Sequence, residues 1–403
     1  MTYKEAKIKL LIEQIVMSPF VMAGKLYGNL FPLKTKHNVF LFFSTADIGG
    51  GPKVNAQIAE CIKEQRPLII FSKKPNNNEF LHLFNIKGVR IIDLHKFIDN
   101  KAFHFLNFFF RGVFAARINK QQKAVVFGGE TIFFYKIIPH LRKDINCIEL
   151  CHLATWLPYS IGFIDRINLR IFSTEYLKQE VEKQYEENNL GSDYFHKLLF
   201  VENAIDLPEH KHIENKKLEV VFIGRGSTQK RIHLCAAIAE KMKLANDPVH
   251  FSFVGDVEKV IDISKYPYCK FYGNIKDEEL IKTIYQQSDV LLLTSAFEGL
   301  PVVVMQMMAY GKVVVATAVN GIPDYIRHRQ NGLLITATAE EEIIEEGVKL
   351  LRQLINNSAL KISIGQQNRK AAQEKFSYEP FCSKYRSLLN ESKMKSLRGQ
   401  VHK

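Results

Sequence analysis

Short apolar runs bounded by glycine, serine or charged side chains recur along this chain and alternate with longer stretches at helical spacing. In the first half they fall at residues 39–43, 67–71, 89–94, 124–127, 147–152, 169–174 and 198–202. In the second half they fall at 218–223, 251–255, around 271, and at 290–293 and 313–316. The runs are continuous rather than alternating, which is the pattern of parallel strands covered on both faces. With helical stretches between them, they predict an α/β chain. Residues 289–335 carry the pattern most fully, as strand, loop, helix, strand, loop, short helix and strand. Pro301 suits the first turn of that helix, and Gly311 closes it.

Three stretches stand outside this alternation. Residues 1–36 mix apolar residues with lysines at helical spacing, interrupted by Pro19. Two readings stay open there: a helix on a membrane interface, or one packed against the first domain. Residues 103–123 hold six phenylalanines near Arg111, Arg117, Lys120 and Lys123. They predict a buried helix with a basic end, or else an aromatic and basic patch for anionic lipid. Residues 207–217 are polar and charged and read as a linker. The resulting division is an extension over 1–36, a domain over 37–206, a second over 207–375, and a last helix with a basic tail over 376–403.

Composition narrows the class. The chain has 403 residues, long enough for two domains, and its 46% hydrophobic and 24% charged content is that of a globular protein. No run is long and apolar enough to predict a spanning helix, and no signal-peptide pattern is present. The six cysteines are scattered in a way that suits neither a disulfide framework nor a zinc site, so a reducing cytoplasm is expected. Net charge is +13, and residues 1–150 carry 22 Lys and Arg against 11 Asp and Glu. That excess fits an anionic partner such as a membrane face, or simply a solvated surface. Nucleic acid is not expected, because no reading motif appears.

Candidate chemistry gathers at strand ends. In α/β sheets ligands bind beyond the carboxyl ends of strands, where helices begin. After 290–293, the amides of Gly299 and Leu300 can face an anion at a helix start, with Glu298 placed to accept from a polyol. Gln306, eight residues on, returns to roughly the same helix face. After 218–223, Arg225 and Lys230 are spaced to clamp a diphosphate, and Arg231 is a third cation close by. In the first domain, Asp47 and the glycines Gly50 and Gly51 follow the first strand. Glu130 follows the fourth and His152 ends the fifth. Together these features describe a nucleotide-sugar pocket.

The run from 289 to 335 resembles the signature of retaining glycosyltransferases of family 4, which have the GT-B fold of two Rossmann-like domains facing across a cleft. The family pattern is Glu, seven residues, Glu. Here the first is Glu298 and the second is replaced by Gln306, while Lys312 stands where a proline is usual. Gly224-Arg225 with Lys230 is similar to the family's phosphate clamp. Asn203 to Asp206 resembles its domain junction, and 376–389 its terminal helix, which crosses back onto the first domain. The resemblance implies transfer of a sugar from a nucleotide diphosphate sugar, a UDP-sugar foremost, to a glycan or lipid-linked acceptor.

In the implied site, Glu298 and His152 orient the donor sugar, Gln306 meets the ribose, and Asn274 and Ile275 border the base. Arg225, Lys230 and the Gly299 and Leu300 amides meet the diphosphate. Gly50 and Gly51 approach the donor, and Asp47 and Glu130 face the acceptor. No cofactor and no metal are implied, and the sequence has no Asp-x-Asp motif. The expected location is cytoplasmic, at the inner face of the plasma membrane. Two other readings share the fold: a non-catalytic GT-B protein on anionic membrane, and a nucleotide-sugar epimerase or phosphorylase.

Overall fold

The central strand-forming runs are apolar on both faces and buried accordingly, while the short runs at 90–93 and 270–271 carry charged, exposed ends. The computed structural model describes residues 2–100, 104–209 and 213–390. The first residues of the phenylalanine-rich run, the middle of the linker and the basic tail from Glu391 lie outside them. Two compact units emerge. Unit 1 comprises residues up to Val201 with the segment from Glu379 onward, and unit 2 is Glu202–Tyr378.

Unit 1 holds a seven-stranded parallel sheet in the order β3-β2-β1-β4-β5-β6-β7. Its strands are β1 (Val39–Phe43), β2 (Leu68–Phe71), β3 (Arg90–Asp93), β4 (Val125–Gly128), β5 (Asn146–Cys151), β6 (Leu169–Phe172) and β7 (Leu198–Phe200). Helices α1 (Tyr3–Val16) and α2 (Ser18–Leu30) precede the sheet. Around it lie α3 (Gly50–Cys61), α4 (His95–Ile98), α5 (His104–Asn119), α6 (Ile132–Ile137), α7 (Leu157–Ser160), α8 (Glu175–Glu187) and α9 (Ser192–Phe195).

Unit 2 holds six parallel strands in the order β10-β9-β8-β11-β12-β13. They are β8 (Leu218–Ile223), β9 (Val249–Val254), β10 (Lys270–Phe271), β11 (Val290–Leu293), β12 (Val313–Thr317) and β13 (Leu333–Ile335). Its helices are α10 (Ile232–Leu244), α11 (Glu278–Gln287), α12 (Val302–Ala309), α13 (Ile322–Tyr325), α14 (Glu340–Asn356) and α15 (Ser358–Lys375). The chain then enters α16 (Tyr378–Leu388), which packs on unit 1 through Tyr385 against Phe127 and Arg386 against the Cys61 carbonyl.

Each sheet reverses its strand order once, between β1 and β4 and between β8 and β11, and such switch points open a crevice for ligands.

Three expectations change here. Cys61 and Cys382 form a disulfide between α3 and α16, although 321 residues separate them and nothing in the cysteine spacing pairs them. Pro301 is the N-cap of α12, with extended backbone, rather than a residue of its first turn. Residues 104–119 of the run form the largely buried α5, and three of the run's four cations are used internally. Arg111 is buried against Glu13 and Asn107, and Arg117 and Lys120 donate to the Phe31 and Asn29 carbonyls at the end of α2. A lipid-facing patch here would keep only exposed Lys123 of its four cations.

Candidate active site

In unit 2 the site is built where two loops leave neighbouring strands. The loop after β8 runs Gly224 to Arg231, and the loop after β11 runs Thr294 to Pro301. They are laced together: Ala296 N–H donates to the Gln229 carbonyl at 2.8 Å, and Gln229 Nε2 donates to the Phe297 carbonyl at 2.8 Å. Buried Thr294 donates from Oγ1 to the Arg231 carbonyl at 2.9 Å. Backbone also meets backbone at the next strand end. Gly255 sits at φ 120°, and a side chain there would start 1.8 Å from the Gly224 carbonyl oxygen. Only glycine allows so close an approach.

Lys230 and Glu298 form an ion pair with both side chains almost fully buried. Ser295 Oγ donates to the same Glu298 oxygen at 2.6 Å, and the Glu298 N–H donates to Asn320 Oδ1 at 3.1 Å. One oxygen of the carboxylate is thus held by two donors, and the Glu298 backbone is held by Asn320. Taking two charges out of water is costly unless they are paired and hydrogen-bonded, so a buried pair in a loop crevice marks a place built for charge. Arg225 is exposed on the same loop, with no carboxylate partner among the described residues. Arg231 has a different task. Its guanidinium donates to the Thr294 carbonyl at 2.8 Å and the Ser295 carbonyl at 2.9 Å, and its backbone lies at φ 44° as the N-cap of α10. Its side chain ties the two loops, while Lys230 pairs with Glu298 and Arg225 is exposed.

The amides of Gly299 and Leu300 find no acceptor among the described residues and lie just ahead of α12. Gln306 is buried on that helix. Asn274 is exposed and Ile275 half-buried in the turn after β10, which is fastened to β9 by the Gly255 N–H donating to the Gly273 carbonyl at 2.8 Å. Sequence reasoning missed two supports of Glu298, Ser295 and Asn320. The second was signalled by the Asn320-Gly321 turn dipeptide, and Asn320 does adopt φ 45°.

In unit 1 the strand ends of β1, β4 and β5 bring a second group together. Gly50 and Gly51 open α3, and a side chain at Gly51 would start 3.9 Å from His152 Cδ2. Glu130, at φ 53°, accepts from the backbone N–H groups of His152 and Leu153, both at 2.7 Å. Its carboxylate holds the loop that presents His152. Burial pushes the Glu130 carboxyl up to about 7, against the two amides that pull it down. Burial also drives the His152 imidazole down to about 4, so it is neutral at neutral pH. His152 Nε2 is enclosed and has no hydrogen-bond partner, an acceptor or donor left for a ligand. Asp47 spends its carboxylate on the N–H groups of Asn76, Asn77 and Asn78 at 2.9–3.0 Å. Burial raises its pKa, but those amides outweigh it and hold the carboxyl below its ordinary value. Among the described residues, no group of three His, Cys, Asp or Glu is placed to hold a metal ion.

The family model for Glycosyl transferases group 1 matches residues 217–353. Sulfoquinovosyl transferase SQD2 of Arabidopsis thaliana is 28% identical over 177 residues, 43% of this chain and 33% of that protein. Poly(ribitol-phosphate) alpha-N-acetylglucosaminyltransferase of Staphylococcus aureus is 26% identical over 242 residues, 58% of this chain and 46% of that protein. The chain spans less than half the length of both relatives. Among solved structures, the pneumococcal O-GlcNAc transferase GtfA in complex with UDP and GlcNAc superposes with a TM-score of 0.71 at 13% identity, covering 88% of this chain and 99% of that one. Anabaena Alr3699/HepE in complex with UDP-glucose gives 0.67 at 16% identity, covering 87% and 98%. The matched residues 217–353 make up most of unit 2. The chain as a whole has the GT-B fold of two Rossmann-like domains with parallel sheets.

Proposed function

We propose that this protein is a retaining, metal-independent glycosyltransferase that moves a sugar from a UDP-sugar to an acceptor hydroxyl on a cell-surface glycan or lipid-linked precursor. The observation that carries the reading is the buried Lys230–Glu298 pair at the switch point of unit 2, with exposed Arg225 on the same loop. UDP is favoured as the carrier because HepE and GtfA were solved with UDP-glucose and with UDP and GlcNAc.

The chemistry follows from charge. As the bond between the anomeric carbon and the phosphate oxygen breaks, negative charge collects on the leaving diphosphate, and preorganised donors must meet it. Arg225, Lys230 and the amides of Gly299 and Leu300 supply such donors. The leaving phosphate takes the acceptor's proton as the acceptor oxygen bonds to the anomeric carbon on the same face. Glu298 receives the sugar hydroxyls, and Gln306 takes the ribose with a neutral amide in place of a carboxylate. Neutral His152 offers a ring nitrogen to the sugar.

A calorimetric titration with UDP, joined to an assay of UDP-sugar consumption over an acceptor panel, tests the reading. Binding of UDP together with transfer that keeps the anomeric configuration is the expected result. Failure of UDP, GDP and ADP alike to bind would remove it.

A further inference from the structure

Soluble helices turn their apolar side inward and their polar side to water. In unit 1 the first helix does the reverse. Ile8, Leu11, Ile12, Ile15 and Val16 recur at three- and four-residue steps along α1, and each is more than half exposed. Its inward side is narrow and polar. Only Ala6 and Leu10 are buried apolar residues, while Lys7 and Tyr3 bind Asp165 and Glu13 binds Arg111 and Lys136.

The stripe does not stop with α1. Met17, at φ −92° and ψ 3°, ends α1 and caps α2. On α2 the exposed set continues through Phe20, Met22, Leu26, Tyr27 and Leu30 to Phe31 just beyond it. The stripe spans residues 8–31, at most about 35 Å at 1.5 Å per residue. The opposite side of α2 is fixed against α5. A side chain at Gly24 would start 1.9 Å from the Phe109 carbonyl oxygen, and one at Gly112 would start 2.0 Å from that of Val21. The outward direction of α2 is therefore set by rigid backbone contact.

Leaving this many large apolar side chains in water forfeits the stabilisation that burial would give each of them. A patch of this extent calls for an occupant. Charge identifies it. Residues 1–38 contain six lysines and two glutamates. Glu5 is engaged in a capping box with Thr2, and Glu13 is held by its two cations. Exposed Lys4 and Lys9 sit beside the stripe on α1, and exposed Lys34 and Lys36 follow its far end. An apolar strip with cations at both ends matches the interface of an anionic bilayer, where acyl chains take the apolar groups and lysines reach the headgroups. Among the described residues no helix is long and apolar enough to cross a membrane, so this strip would lie along the surface.

We infer that α1 and α2 form one rigid docking strip for an anionic lipid surface, through the face from Ile8 to Phe31. The inference stands apart from the donor chemistry. Cosedimentation of the full chain with vesicles of phosphatidylcholine with or without phosphatidylglycerol, in the absence of nucleotide, tests it. Wild type should bind the phosphatidylglycerol vesicles, and less as salt rises. Ile12→Glu with Leu26→Glu should lower that affinity by about tenfold or more, as should Lys4→Glu with Lys9→Glu. Leu244→Glu, at an exposed apolar site in unit 2, should change nothing. Melting and circular dichroism verify folding, and the milder Ile15→Ser with Leu30→Ser pair replaces the glutamates if they unfold the protein. Equal binding to pure phosphatidylcholine, or unaltered binding by the stripe variants, would overturn the inference. So would a wild-type dimer that ignores vesicles and that Ile12→Glu splits, since a second copy would then cover the strip.

Discussion

Arg225 and Arg231 stand six residues apart on one loop, and their surroundings assign them opposite work. Arg231 fills two carbonyl acceptors across the loop pair, whereas Arg225 is exposed with no carboxylate partner among the described residues. Arg225→Ala should therefore weaken UDP binding by about tenfold or more in calorimetry, as for losing a charge-assisted contact, with no change in melting temperature. Arg231→Ala should instead cost about 1.5–3 kcal/mol in urea unfolding, because two carbonyls lose a charged donor. Arg231→Gly should recover part of that cost, since the backbone lies at φ 44°. The unit 1 pair makes a pH prediction. His152 drops from 6.5 to about 4 on folding, so its contribution to stability is present above pH 6.5 and is lost as pH falls toward 4. Glu130 rises from 4.5 to about 7, so its contribution is present below pH 4.5 and is lost as pH rises through 7. The two slopes oppose each other in the window they share. Glu130→Gln should remove the downward one, leaving a urea midpoint that climbs more steeply with pH than that of wild type.

Among the elements, the α2–α5 pair decides how unit 1 presents its outer face. Gly24 and Gly28 on α2 meet Phe109, Gly112 and Val113 on α5 at distances where no side-chain carbon fits. Gly24→Ala should force the helices apart and cost about 1–3 kcal/mol, the usual range for overpacking, read as a shift in urea midpoint. Gly24→Val should cost more. The same variants should weaken vesicle binding if the strip acts as a rigid body. Here the sequence was only half legible. Helical spacing over 1–36 was plain, but whether the helix turned its apolar side in or out depends on what α5 and the Glu13 cations do, and those partners lie about a hundred residues away. The composition of α5 misled for a related reason: its arginines look free in sequence and are buried or capping in the fold.

At the scale of the molecule, strands were the most readable part, because a strand covered on both faces must be apolar throughout, and 39–43, 218–223 and 290–293 declare themselves. Their order is not written in periodicity. Nothing in the apolar runs themselves says that β4 and β11 lie beside the first strand of their sheets. Spacing along one loop could set Arg225 near Lys230 as candidates, and spacing along one helix could set Gln306 behind Glu298. The site was illegible where residues distant in sequence meet, as Lys230 does with Glu298. The disulfide is the extreme of that blindness, since Cys61 and Cys382 enclose the whole of unit 2 in the loop they close. Constraining so long a loop in the unfolded chain stabilises by about 2–4 kcal/mol. Peptide mapping without reductant should recover that one cross-link. A reductant should lower the unfolding midpoint of wild type and leave Cys61→Ser with Cys382→Ser, already lowered, where it stands. Cys147, Cys151 and Cys235 are buried, and half-exposed Cys269 has its thiol pushed up to about 12 by burial. Alkylation of the native protein should accordingly be slow at all four, and fast at Cys61 and Cys382 only after reduction and opening of α16.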